Sequence, residues 1–279
     1  MALDFDNVLA CLALTPAGEG NFQGPNLDLD YRRVFGGQIL AQSVAALALA
    51  CPEKRLKSFT QLFPREGDTS LPMDYAVDIQ QEGRTFATCS IVASQGGPGS
   101  KTVSTTSASL HVPETGLEAQ ITMTEAGAPD SAPLADLGMI PWECRAVDGT
   151  DLSSKSAAAQ RYRFWVRTPA VPMTLDHAWV HQALLAYATD LTVIGTALLP
   201  IEGYSQADTG TLLHTAVTSH TMWFHSDFRV DDWLLVSQYS PVLTGGRAFG
   251  RGDVWTQDGR LVASFAQEAM VRLLAPAGD

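Results

Sequence analysis

The chain carries one design twice. Gly83-Arg84-Thr85-Phe86 recurs as Gly246-Arg247-Ala248-Phe249, and Asp68 and Asp231 precede their arginines by the same interval. After each of these tetrapeptides come two stretches of alternating apolar and polar residues, each pair joined by a glycine-bearing turn, Gln95–Ser100 in the first copy and Gln257-Asp258-Gly259 in the second. Such alternation with such turns predicts antiparallel hairpins. Ahead of each strand set lies a long apolar segment with helical character, Gly37 to Leu49 and about His177 to Leu199. Two helix-then-strands units imply two fused copies of one small α+β module. The first copy spans 1–112 and the second 160–279. Residues 113–159 between them, rich in Pro, Gly, Ala, Ser and Asp, read as a linker in which Trp142 and Cys144 pack down. Glu143 and Arg145 are expected at the surface.

Composition narrows the function classes. Hydrophobic residues at 46% and charged residues at 17% suit a packed globular chain rather than a disordered one. A formal charge of -12 disfavours nonspecific binding to nucleic acid or to an anionic membrane. The apolar run from Ile39 to Cys51 is too short and too alanine-rich to span a bilayer. The acidic opening Met-Ala-Leu-Asp-Phe-Asp lacks the layout of a signal peptide. Cys11, Cys51, Cys89 and Cys144 form no Cys-x-x-Cys pair, so a zinc knuckle or dithiol motif is not expected. These features together suggest a cytoplasmic protein with free thiols.

Two polar residues stand out against apolar surroundings. Gln267 lies in the last strand pattern and Asp190 in the middle of the second helical pattern. A buried amide and a buried acid both need partners, and each is the best candidate to face the other. The pair suggests a site that handles water. Gly36-Gly37 open the first helix, where paired glycines either permit tight packing or leave free N–H groups for an anion or a polarised carbonyl.

Other chemistry is poorly supported. His177 and His181 have helical spacing, but no His-Glu-x-x-His motif and no third ligand accompany them. His220 and His225 fall on opposite strand faces and cannot share one metal. No Gly-x-Ser-x-Gly elbow exists, and Ser240 is followed by proline. Arg84 and Arg247 suit paired structural roles at the sheet centre. Arg65, Arg163, Arg167 and Arg229 are candidates for binding phosphate.

Taken together, Arg33-Val-Phe-Gly-Gly-Gln-Ile-Leu-Ala-Gln, the Ala-Tyr-Ala-Thr-Asp190 helix, Met222-Trp-Phe-His, Asp231-Asp-Trp-Leu-Leu, Gly-Gly-Arg247-x-Phe-x-Arg-Gly and Asp258-Gly-Arg-Leu-Val-Ala-Ser-x-x-Gln267-Glu resemble the type II acyl-CoA thioesterases, the TesB-like family. The resemblance runs from about Phe22 to Leu274, apart from the linker. It implies a double hotdog fold of class α+β, in which two long helices are wrapped by antiparallel sheets that join into one. It also implies hydrolysis of fatty acyl-CoA to free acid and CoA, with neither metal nor cofactor. Acyl-CoA is then the substrate partner, with no nucleic acid or membrane partner. A homo-oligomer is expected, because hotdog sheets offer exposed edges and broad faces.

Position by position, Asp190 falls on the family aspartate and Gln267 on the family glutamine, and these two would hold the attacking water. The family hydroxyl position falls on Val217, which cannot hydrogen-bond water, and the adjacent acid position falls on Ser219. Thr215 and Ser219 share the face of Val217 in a regular strand. Thr218 serves instead only where a bulge re-aims it. The backbone amides of Gly36 and Gly37 are candidates for the oxyanion. Trp223, Phe224 and Trp233 suit either an acyl-chain lining or the core. Two other readings fit the same fold: an acyl-CoA binder without turnover, motivated by Val217, and a hydratase or dehydratase acting on enoyl or 3-hydroxyacyl thioesters, disfavoured because the helix offers Asp190 without a matching histidine.

Overall fold

The computed structural model describes residues 3–29, 31–97 and 100–274. Pro98 and Gly99, part of the expected first hairpin turn, lie outside the described residues, as do the outermost residues of both terminal modules. A short helix α1 (Phe5–Cys11) leads into strands β1 (Thr15–Pro16) and β2 (Asn21–Gly24), followed by helix α2 (Gly36–Ala50). Strands β3 (Arg55–Leu62), β4 (Met73–Glu82), β5 (Phe86–Gln95) and β6 (Lys101–His111) complete the first half. The second half holds β7 (Glu143–Ala146), β8 (Arg161–Arg167), helices α3 (Ala178–Thr189) and α4 (Thr192–Leu198), then β9 (Leu213–Phe224), β10 (Leu234–Thr244), β11 (Arg247–Thr256) and β12 (Leu261–Leu273).

All these strands belong to one 12-stranded sheet in the order β1-β2-β4-β5-β6-β3-β9-β12-β11-β10-β8-β7. The duplication is explicit in that order. The first half runs β2-β4-β5-β6-β3 and the second β8-β10-β11-β12-β9, so matching strands take matching places. The halves join where β3 pairs antiparallel with β9, from Ser58 opposite Trp223 to Leu62 opposite Ser219. This is the double hotdog expected from the resemblance. The alternation read from sequence is visible in β5, where Ala87, Cys89, Ile91 and Ala93 are buried and the residues between them face outward.

The helices pack against each other inside the sheet. Helix α2 is alanine-rich and buried almost throughout, its polar Gln38, Gln42 and Ser43 included. Leu40 and Leu47 are fully buried, each stabilising the fold by about 1.5–3 kcal/mol. Phe35 meets Tyr187 edge-on at 5.1 Å, bringing the start of α2 to the end of α3, so the pair is antiparallel. The segment between the modules packs down at Ile140 and Cys144, both buried, and at Trp142, which meets the Phe5 ring at 6.0 Å. Its Met139 carbonyl accepts a hydrogen bond from Tyr187 Oη at 2.7 Å.

The second helical pattern is not one helix. It divides at Asp190-Leu191 into α3 and α4. The Asp190 carbonyl accepts a hydrogen bond from Gln267 Nε2 at 3.1 Å, and a side chain inserted at a helical carbonyl is a recognised cause of a kink.

Candidate active site

The carboxyl group of Asp190 is delivered by the C-terminus of one helix to the N-terminus of another. Helix α2 has Phe35 at its N-cap, with no side-chain capping bond of its own. The first backbone N–H groups of a helix lack internal partners. The Gly37 N–H lies near enough to the Asp190 carboxyl group to favour its charged form, so the acid faces the N-terminus of α2 from across the helix pair. The approach depends on the two glycines. A Cβ at Gly36 would sit 2.8 Å from Asp190 Oδ2, and one at Gly37 would sit 2.6 Å from the Tyr187 carbonyl oxygen and 2.5 Å from the Phe35 ring.

Asp190 is 3% exposed, and its Oδ1 is buried without a hydrogen-bond partner. Burial penalises the charged form and pushes the carboxyl pKa up to about 7, against the opposing pull of the Gly37 N–H and the Arg33 guanidinium. The unpartnered oxygen belongs to a residue lining a cavity of about 410 Å³. Val34, Phe35, Ile39, Leu191, Ile194 and Met139 supply much of its apolar wall, while Tyr31, Arg33, Arg65 and Glu66 bring charge and polarity to one side. Arg33 donates to Glu66 Oε1 and to the Thr215 carbonyl, each at 2.5 Å, tying the first module to β9 of the second.

The strand opposite is irregular where it matters. Along β9 and β12, Glu268 pairs with Ser219 and Ala269 with Val217, so Thr218 is an extra residue. This is a β-bulge, and it breaks the period-two alternation. Val217 and Thr218 both line the cavity. Thr218 Oγ1 donates to the Glu268 carbonyl at 3.0 Å, which leaves its lone pairs as acceptors. The bulge on which a role for Thr218 depended is present. Thr215 also lines the cavity, whereas Ser219, beyond the bulge, does not.

Gln267 sits in a different relation to Asp190 from the one expected. The two residues meet, but through the Asp190 carbonyl rather than its carboxyl group, and Gln267 is not among the cavity lining. Its Oε1 accepts from His220 Nδ1 at 2.9 Å, on the residue paired with it across β9 and β12. Since Gln267 Nε2 donates to the carbonyl, Oε1 faces His220, and His220 Nδ1 carries the proton. Burial holds the His220 pKa down to about 4, so the ring is neutral. Nε2 is then an acceptor, 3.3 Å from Thr189 Oγ1, and competes for that one hydroxyl proton with the Ala186 carbonyl at 3.0 Å. His220 is the member of the site that sequence reasoning passed over. No local signal marks it, because its place opposite Gln267 is a matter of register between β9 and β12.

The two glycines of the oxyanion expectation are placed differently. The Gly37 N–H faces the Asp190 carboxyl group, and Gly37 is not part of the cavity wall. Gly36 lines the cavity. Among the arginine candidates only Arg65 reaches this cavity. Arg163 pairs with Asp148, Arg167 with Glu143, and Arg229 with Asp176 and Asp231. Arg84 and Arg247 are not at the sheet centre but at hairpin ends, where Arg247 meets Glu268 at 3.5 Å. Trp223, Phe224 and Trp233 do not line the cavity: Trp223 is 42% exposed, Phe224 joins the main core, and Trp233 stacks under Arg167. His181 is held by Asp176 and by the Val230 N–H, a structural arrangement. Among the described residues, no three His, Cys, Asp or Glu side chains gather to hold a metal ion, and no helix is long and apolar enough to cross a membrane.

The family model described as acyl-CoA thioesterase matches residues 145–270, and that described as acyl-CoA thioesterase N-terminal domain matches residues 27–111. Acyl-CoA thioesterase 2 of Haemophilus influenzae is 32% identical over 96% of this chain and 97% of its own length. Human acyl-coenzyme A thioesterase 8 is 30% identical over 95% of this chain and 89% of its own. The crystal structure of the acyl-CoA thioesterase II TesB2 from Mycobacterium marinum superposes with a TM-score of 0.80 at 29% identity, covering 98% of this chain and 100% of that one.

Proposed function

The chain belongs to the type II acyl-CoA thioesterase family and is an acyl-CoA thioester hydrolase, and we propose that it releases the acid and CoA by attack of a water held between Asp190 and Thr218. The observation that carries this reading is the unpartnered, buried Asp190 Oδ1 on a residue of the cavity wall. A water donating one hydrogen to the Asp190 carboxylate and the other to Thr218 Oγ1 presents a lone pair to the thioester carbonyl. Asp190 takes the proton as general base. A base with a pKa near 7 is matched to neutral pH, being ionised in good proportion while still basic enough to accept a proton.

Gln267 enters as a positioning residue. It fixes the Asp190 carbonyl and hence the kink that aims the carboxyl group, and its own amide is oriented by His220. The Gly36 amide, at the N-terminus that faces the cavity, is the candidate donor to the developing oxyanion. Arg65, exposed at the cavity edge, is the candidate for a CoA phosphate. The carboxylate–water pair operates without metal or cofactor. The acyl group is a fatty acyl chain, in keeping with the apolar wall of the cavity. Homo-oligomer formation in the cytoplasm completes the proposal. It is supported by apolar side chains on the outer sheet face, where Leu62 is 52% and Trp223 42% exposed.

Thiol release from a series of acyl-CoAs, wild type against Asp190→Asn, is the test. A fall of about 10²–10⁴-fold is the scale of a lost general base. Unchanged turnover in Asp190→Asn removes Asp190 from the mechanism.

A further inference from the structure

Gln206 stands where two cavities meet. Among the described residues it is the one common to the lining of the catalytic cavity and of a second cavity of about 620 Å³, whose wall combines Leu137, Leu152, Ala146 and Tyr162 with the acids Asp136 and Asp151. Its backbone is anchored on both sides. Gln206 N–H donates to the Leu152 carbonyl at 3.0 Å, and the turn it opens is closed by a capping box between Ser205 and Asp208. Lys155 Nζ pairs with Asp208 Oδ1 at 2.7 Å, binding the same turn to the segment that walls the second cavity.

The side chain is held differently. Its Oε1 is buried without a hydrogen-bond partner and lies against Gly195 of α4, where a Cβ would collide with it. A buried amide oxygen left unpaired is costly. The mechanism makes no use of it. What holds the side chain in place is space, provided by Gly195, on a fixed backbone.

The path from the reacting centre leads to this residue. Asp190 is followed by Leu191 and by Ile194 one turn into α4, both lining the catalytic cavity, and Gly195 then abuts Gln206. An acyl chain lying along this apolar run, with its carbonyl at Asp190, points its tail at the Gln206 side chain. The charged residues Arg33, Arg65 and Glu66 line the same cavity and suit the polar CoA end.

We propose that Gln206 is the partition that sets acyl-chain length: it closes the catalytic cavity, and its displacement opens that cavity into the second one for longer tails. This rests on the thioesterase reading of the cavity.

The experiment compares kcat/KM for butyryl-CoA and palmitoyl-CoA in wild type, Gln206→Ala and Gln206→Met, with thermal melts of each. Gln206→Ala is expected to raise the palmitoyl-to-butyryl ratio by about tenfold or more, the scale on which an apolar pocket discriminates a methylene group admitted from one refused. Gln206→Met fills the same space without the amide and is expected to keep the wild-type ratio. Superimposable ratios for wild type and Gln206→Ala overturn the proposal. So does an equal shift in Ala and Met, which would assign the effect to the amide and not to the space it fills. If Gln206→Ala does not fold, Gln206→Phe carries the test in the opposite sense, with a lower ratio expected and an unchanged ratio overturning the idea. Asp190→Asn, which reads turnover at every chain length, tests the underlying mechanism separately.

Discussion

The two ends of the α2–α3 pair are built from the same repeated parts, yet among the described residues only one buries an acid between the helices. At the end proposed to be catalytic, the Gly36-Gly37 start of α2 meets the Asp190 end of α3. At the other end, the close of α2 faces the start of α3 across a smaller cavity of about 220 Å³, lined by Ala48, Pro52, Lys54, Arg55, Trp179 and Gln182 among others. Among the described residues no aspartate or glutamate lines that cavity, and the Gln182 amide is spent on the Leu56 carbonyl at 2.9 Å. The scaffold thus offers two helix junctions. At one of them glycines let a carboxyl group approach the start of a helix closely, and burial holds its pKa near neutrality, which is why the proposed chemistry is assigned there.

The sharpest way to break this comparison is to remove the acid. Asp190→Asn should lower kcat/KM by about 10²–10⁴-fold, whereas Lys54→Ala at the opposite end should leave it unchanged. Equal losses would mean the ends are not functionally distinct. Next in size is the glycine pair. Gly37→Ala should push the Tyr187 carbonyl and Phe35 ring away, and a displacement on the order of 1 Å at the site is expected to cost about 10²-fold in rate. A small effect on rate would show that the helix approach is not what positions Asp190. Thr218→Val should cost about tenfold or less, the loss of one neutral hydrogen bond, read in kcat rather than in protein folding.

Two pH effects sharpen the comparison further. kcat/KM should rise with pH through about 7, as Asp190 loses its proton, and this step should vanish in Asp190→Asn. Stability should move the other way. The folded pKa lies above the ordinary 3.8, so the native state holds more protons than the unfolded one between 3.8 and about 7, and stability falls as pH rises through that window. Asp190→Asn should therefore gain stability relative to wild type at pH 8, on the order of a few kcal/mol, and lose that advantage near pH 4. His220 titrates in the opposite sense. Its folded pKa of about 4 lies below 6.5, so the stability it contributes is complete above 6.5 and is lost as pH falls to about 4. His220→Asn, measured by thermal melts across that range, should flatten the acid limb.

Much of this was legible in the residues themselves. The recurring Gly-Arg-x-Phe and the alternating strands disclosed the duplication, because sheet faces impose period two on sequence. Asp190 and Gln267 stood out because a polar group in an apolar element needs a partner. The nature of the partnership was hidden. That Gln267 takes the Asp190 carbonyl, and so splits the second helix, depends on a contact between residues far apart in the chain. His220 read as one of several histidines, since nothing local marks which residue lies opposite Gln267. The bulge at Thr218 was conditional in sequence: bulges are a matter of register between two strands, and one strand alone does not state its register.

The antiparallel seam of β3 and β9 has a consequence for how such a chain can change. In an assembly of two identical modules, every substitution appears at both helix junctions, so a residue good for one and harmful for the other cannot be fixed. Joining the copies in one polypeptide lets each position vary alone. Here one junction is braced by Gln182, while the other holds an acid whose burial a fold of identical modules would have to tolerate twice.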